Sequence, residues 1–227
     1  MTKIPMIICL WLLLFPGTLQ AEAGLDEILE GIRKNYGDLL GFTVSYKREV
    51  ITKTMAMLGE EVKADLATGN MFFKPPGFLR LEQETPKQES VFYNEETLWW
   101  YIPYQKRAYK YSAQEFGKEL RLLNDIFRGL IRVDDRFHVS LRNPNDLGEY
   151  QIELVPQPVW QNIDRVILTL THENTIRIVS IKYQLGATTI FTLNTMIEKD
   201  DFENNFFNFT VPEGVLVVEE KGVNILQ

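Results

Sequence analysis

The stretch GNMFFKPPGFLRLEQETPKQESVFYNEETLWWYIPY, residues 69–104, reads as a β-meander. Its apolar and aromatic runs are broken by turn signals at Lys74-Pro75-Pro76-Gly77, Thr85-Pro86 and Tyr93-Asn94-Glu95. Proline has no N–H to give a ladder, so Pro75 and Pro76 belong between strands. The rungs are expected at Met71–Lys74, Phe78–Gln83, Glu89–Tyr93 and Thr97–Ile102. Neighbouring strand residues point to opposite faces, so Trp99 and Trp100 must diverge, and so must Phe72 and Phe73. A sheet with large aromatics on both faces needs a cover on each, or a ligand on one.

The segments on either side extend this sheet. Phe42, Val44 and Tyr46 alternate with Thr43, Ser45 and Lys47, a strand with one dry face. Before it, Leu25, Ile28, Leu29, Ile32 and Tyr36 form the stripe of an amphipathic helix over Leu25–Leu40, with Gly37 and Gly41 bracketing its exit. Ile51–Lys63 suits two edge strands around Gly59-Glu60. Downstream, Arg107–Tyr111 is one more strand. The period then changes. From Ser112 to Arg132, Phe116, Leu120, Leu123, Phe127 and Leu130 recur at steps of three and four, with Leu122 and Ile126 widening the stripe. Ser112 followed by Glu115 has the pattern of a capping box. Strands resume at Phe137–Leu141, Tyr150–Val155, Ile163–Thr171, Thr175–Tyr183 and Thr188–Asn194, with Glu173-Asn174 as a tight turn.

The N-terminus carries its own signal. Lys3 precedes the apolar run Ile7–Phe15, Pro16-Gly17 breaks it, and Ala21-Glu22-Ala23 offers small residues for cleavage after Ala21 or Ala23. Residues 1–23 are therefore expected to be a cleaved signal peptide, and residues 24–227 a single mainly β domain with helices (α+β). Cys9, the single cysteine, lies inside the apolar run, so no disulfide or thiol chemistry is expected in the mature chain.

Composition and motifs narrow the function. A net charge of −7 argues against nucleic acid as a partner. No Gly-x-Ser-x-Gly motif and no phosphate-cradling glycine loop occur, and the mature chain has no cysteine nucleophile. His138 and His172 stand apart from any second ligand at metal spacing, so neither a metal nor another cofactor is expected. Residues 198–205, EKDDFENN, lack the spacing of a calcium loop. No enzyme is indicated. The inserted amphipathic helix admits two readings: a plug that closes a solid core, or a lid over a cavity for an apolar ligand.

Four motifs occur in a telling order: Gly41-Phe42-Thr43-Val44-Ser45-Tyr46, Gly69–Pro76, Thr97–Pro103 and Phe207–Val215. Together they resemble the periplasmic outer-membrane lipoprotein carrier family (LolA-type) across nearly the whole mature chain. The resemblance implies an incomplete antiparallel β-barrel with a helical lid over an apolar cavity that takes up lipoprotein acyl chains. It implies a monomeric chaperone in the periplasm of a Gram-negative bacterium, shuttling cargo from the inner to the outer membrane. An inner-membrane ABC-type lipoprotein extractor would load it and an outer-membrane lipoprotein receptor unload it. A periplasmic lipid- or lipoprotein-sensing regulatory module on the same fold is the alternative.

On this reading the lid residues are Phe116, Leu120, Leu123, Phe127 and Leu130, and the opposing lipid-binding wall is Leu79, Leu81, Trp99 and Tyr101. Which of Trp99 and Trp100 faces the cavity is left open. Where the family has a latch arginine after the lysine of its second motif, this chain has Pro75. Arg48, Lys74 or Arg80 could replace the latch, or packing alone could hold the lid.

Overall fold

The computed structural model describes residues 24–58, 64–94, 96–116 and 118–219, apart from the side chains of Ala56, Leu58, Glu115, Phe116 and Lys118. The signal-peptide expectation for residues 1–23 and the Gly59-Glu60 turn lie outside the described residues.

Helix α1 (Leu25–Tyr36) places Asp26 and Glu27 at its positive end and Arg33 and Lys34 at its negative end. It buries Ile28, Leu29, Ile32 and Tyr36. It is one turn shorter than the expected Leu25–Leu40, because Gly37 caps it through a hydrogen bond to the Arg33 carbonyl. The meander forms as read: β2 (Asp65–Lys74), β3 (Phe78–Thr85), β4 (Glu89–Tyr93) and β5 (Thr97–Ile102), followed by β6 (Arg107–Ser112). β2 begins earlier than expected, because β1 (Phe42–Ile51) pairs with it from Val50↔Asp65 to Phe42↔Phe73. The Ile51–Lys63 expectation is corrected: Lys53–Leu58 is a short helix, α2, rather than a strand. Alanine, leucine and methionine favour helix there, and Thr52 Oγ accepts a hydrogen bond from the Met55 N–H.

The inserted helical segment ends sooner than expected. Within the Ser112–Arg132 span, α3 (Ala113–Phe116) and α4 (Lys118–Phe127) are helical, and Ser112 ends strand β6. Past Phe127 the chain reverses in a Schellman turn. The Leu130 N–H donates to the Asp125 carbonyl and the Gly129 N–H to that of Ile126. Gly129 has φ +76°, and a Cβ there would lie 3.1 Å from the Arg33 Cα of α1, so both geometry and space require glycine. The remaining strands are β7 (Phe137–Arg142), β8 (Tyr150–Pro156), β9 (Ile163–Leu170), β10 (Ile176–Tyr183), β11 (Thr188–Leu193), β12 (Ile197–Glu198) and β13 (Leu216–Glu219).

Among the described residues these strands make one open sheet in the order β13-β6-β5-β4-β3-β2-β1-β11-β10-β9-β8-β7, with β12 paired to β1. Neighbours are antiparallel except β13, which runs parallel to β6. The sheet is thus mainly antiparallel and unclosed, with β13 and β7 at its two ends.

One face, here the inner face, carries α1, α4 and the apolar core. Phe42, Val44, Met71, Phe73, Leu79, Leu81, Tyr93 and Leu98 point into it from β1–β5, and Leu154, Leu168, Val179 and Phe191 from β8–β11. α1 docks on the β9–β10 turn. Tyr36 Oη accepts the Ile176 N–H at 2.9 Å, and Asn35 Nδ2 donates to the Glu173 carbonyl at 2.6 Å.

The opposite, outer face of the meander has a different cover. Residues 199–210 cross it as a strap that begins by packing Phe202 against Gly41. Phe206 meets Phe72 at 5.0 Å between ring centroids, Phe207 meets Phe78 at 5.8 Å, and Phe209 lies 5.2 Å from each of Phe92, Trp99 and Tyr101. Away from the strap, β8 and β9 present Glu153, Arg165 and Thr169 on this face, with Arg165 paired to Glu153. The two-faced aromatic content of residues 69–104 is therefore satisfied by two covers.

Candidate functional site

The inner face and its helical cover form the candidate site. α4 lays Leu122, Leu123, Ile126 and Phe127 against the sheet, all fully buried or nearly so. The Phe127 ring meets Phe42 edge-on at 5.1 Å and tilts against Phe73 at 5.9 Å, so it wedges between β1 and β2. Leu130, at the end of the Schellman turn, is buried, and Leu120 is half-buried against the core. Of the five residues expected in a lid, Leu123 and Phe127 are thus buried on α4, Leu120 is half-buried there, and Leu130 is buried in the turn beyond the helix. Phe116's side chain lies outside the described residues. Outside the apolar stripe, Asp125 pairs with Arg136 at 2.8 Å. Burial pushes the Asp125 carboxyl above its usual range, and Arg136 opposes that rise.

The proposed wall divides. Leu79 and Leu81 point inward and are buried. Trp99 and Tyr101 point outward onto Phe209 of the strap, so these two residues do not face α4. Register is the reason. Leu79 pairs with Tyr93 and Tyr93 with Leu98, which puts Leu98, Trp100 and Ile102 on the inner face of β5 and Trp99 on the outer. Trp100 takes the inward place. Its Nε1 donates to Glu89 at 2.9 Å, and its ring lies 5.4 Å from Tyr109.

The three latch candidates separate in the same way. Lys74 and Arg80 lie on the outer face and hold the strap rather than α4. Lys74 pairs with Asp201 at 3.2 Å. Arg80 donates to the Phe206 carbonyl at 2.8 Å, pairs with Glu82, and lies over the Phe206 and Phe92 rings at 4.3 and 4.8 Å. Arg48 shares the parity of Phe42, Val44 and Tyr46 and faces inward, donating to Gln83 of β3 at 3.1 Å.

The inner face changes character along its strands. Near Phe42, Phe73 and Phe127 it is apolar; six residues further along β1, at Arg48, it carries Gln83, Glu89, Trp100 and Tyr183. Burial raises the Tyr183 phenol above its ordinary pKa. The nearby carboxylate of Glu119 in the first turn of α4 adds to that rise, while Arg48 opposes it. Tyr46 is raised for the same first reason, burial, against the opposing charge of Arg48. Glu89, Gln83 and Tyr183 escaped sequence reading. Their parity with Leu81, Val91 and Ile181 was the available signal, but it needed the register.

An open, mainly antiparallel sheet with helices lying on one apolar face offers a surface on which an apolar ligand could be held. Residues 56–210 match the family model "Outer membrane lipoprotein carrier protein LolA", and the chain belongs to that family. It is 20% identical over 216 residues to an outer-membrane lipoprotein carrier protein of Yersinia enterocolitica, covering 92% of this chain and 95% of that one. A protein of the same description from Nitrosospira multiformis is 23% identical over 215 residues, covering 93% and 95%. Among solved structures, an uncharacterised conserved protein of Thermus thermophilus shares the fold with a TM-score of 0.53 at 11% identity, covering 86% of this chain and 98% of that one.

Proposed function

We propose that this chain is a periplasmic carrier that takes lipoprotein acyl chains onto the inner face of its sheet by displacing α4. The observation that carries the reading is the seat of Phe127 between Phe42 and Phe73. There, a short helix joined to the sheet by turns fills an apolar face that could otherwise hold hydrocarbon. Family membership and the names of its relatives support the choice of lipoprotein as cargo.

The energetics suit a carrier that must also let go. Each methylene buried contributes about 0.8 kcal/mol, so a few acyl chains bind strongly to a bare apolar face. Cargo that must first displace Leu123, Phe127 and Leu130 binds with that gain partly offset, because the same surface is already covered in the empty state. Release then needs only a partner that offers the chains a comparable refuge. In this reading an inner-membrane ATP-driven extractor loads a monomeric carrier and an outer-membrane receptor unloads it.

Phe127→Glu tests the idea. It places a charge on the helix face that must leave and re-enter the site. The expected result is loss of lipoprotein from protein purified out of periplasm, read by mass spectrometry, with a native-like circular dichroism spectrum. Undiminished lipoprotein co-purification would overturn the lid mechanism. Free lipid or a protein partner in place of lipoprotein, on the unaltered chain, would overturn the cargo.

A further inference from the structure

Arg48 is out of place on a purely hydrocarbon-binding surface. It occupies an inward position of β1 between the β2 and β11 ladders, where its paired neighbours are Ala67 and Phe191. A guanidinium has donors and no acceptor. One terminal nitrogen donates to Gln83, while Nε is buried without a hydrogen-bond partner. An arginine in that state calls for a ligand atom that accepts hydrogen bonds.

Position narrows the ligand. Phe42 to Arg48 is six residues of strand, about 20 Å at roughly 3.3 Å per residue. The acyl chains of one leaflet span about 15 Å, half the thickness of a bilayer's hydrocarbon core. Tails seated at the Phe42–Phe73 end would therefore bring their polar junction to within about 5 Å of the level of Arg48, a gap its long side chain can span. We propose that Arg48, with Gln83 beside it, binds the ester and amide carbonyls at the head of acylated cargo, and so sets the depth and register of the chains. This rests on the carrier reading and adds a polar recognition point to it. Tyr183 lies close enough to this point for the charges of both Arg48 and Glu119 on α4 to act on its phenol. Withdrawal of α4 removes the Glu119 carboxylate from this level and leaves the guanidinium to the incoming carbonyls.

The test compares the unaltered chain, Arg48→Met and Arg48→Lys, each checked for an unchanged thermal midpoint. The probes are a synthetic tripalmitoyl lipopeptide and diphenylhexatriene, an apolar fluorophore with no acceptor atom. Arg48→Met is expected to weaken lipopeptide binding about tenfold or more, the effect of losing a hydrogen bond to a charged group, and to leave diphenylhexatriene binding unchanged. Arg48→Lys should fall between. A short-chain diacyl phospholipid used as competitor locates the contact. Equal dependence on Arg48 assigns it to the ester carbonyls that both lipids carry, and dependence confined to the lipopeptide assigns it to the amide; either supports the site. Lipopeptide affinity unchanged in Arg48→Met overturns the site and leaves the carrier reading standing. Tighter binding of both probes in Arg48→Met also overturns it, since Arg48 would then act only to hold α4 down. Failure of the unaltered chain to bind either probe overturns the carrier reading itself.

Discussion

Tyr36 shows how one side chain ties a helix to a sheet. Its hydroxyl accepts the Ile176 N–H at the start of β10, and burial pushes its pKa to about 12. The folded pKa lies above the unfolded value of about 10, so the stability tied to the neutral phenol is complete below pH 10 and is lost as pH rises from 10 to 12. The loss should approach about 2.7 kcal/mol, from 1.36 kcal/mol per pKa unit. Tyr36→Phe should flatten that segment of the stability–pH profile, measured by denaturant unfolding. At neutral pH it should cost about 1–3 kcal/mol, because a buried backbone N–H loses its acceptor. Arg80 is the second telling residue. Arg80→Met removes the bond to the Phe206 carbonyl and the stacking on Phe206 and Phe92. It should leave the sheet intact and make residues 199–210 cleave faster under limited proteolysis.

At the scale of elements, α4 is the part whose packing and proposed movement conflict. Phe127→Ala deletes a fully buried ring and should cost about 3–5 kcal/mol in denaturant unfolding, if the empty site stays open behind it. Gly129→Ala acts at the other end of the same element. With φ at +76° and the Arg33 Cα 3.1 Å from the added methyl, it should destabilise by more than the usual 1 kcal/mol and shift the seat of α4 against α1. The helix itself was legible in residues 112–132 because a 3.6-residue stripe of large apolar groups is a strong local signal. Its end at Phe127 was less so. Gly129 sits inside the apparent pattern, and α1's approach to it exists only in three dimensions. Within the Ile51–Lys63 segment, Lys53–Leu58 departs from the expected edge strands: among the described residues no strand pairs with it, and a turn of helix satisfies its backbone locally.

For the whole molecule, the strap governs how an open sheet stays out of trouble. Residues 199–210 shield Phe72, Phe78, Phe92, Trp99 and Tyr101, and β13 then covers part of the exposed edge of β6. A chain ending at Met196 would expose a contiguous aromatic face and leave the edge of β6 unpaired, two features that promote association. It should form oligomers in sedimentation velocity and bind a hydrophobic dye more strongly than the full chain. A monomeric, dye-silent truncation would mean the strap covers nothing of consequence.

Local sequence dictates most of the element types, the meander and its turns, and the amphipathic helix that follows β6, though not the helix at Lys53–Leu58. Alternation, helical periodicity and proline act within a few residues of chain, where composition speaks directly. It also determined that both faces of residues 69–104 had to be covered. Which cover meets which face is set by strand pairing between distant segments. Trp99 and Trp100 differ by one position in an identical local context, and the choice between them depends on pairing that runs from Leu79 through Tyr93 to Leu98. The same registry sent Lys74 and Arg80 to the strap and Arg48 to the inner face. Parity along a strand is a local property; the side on which the helices pack is set by segments more than a hundred residues apart.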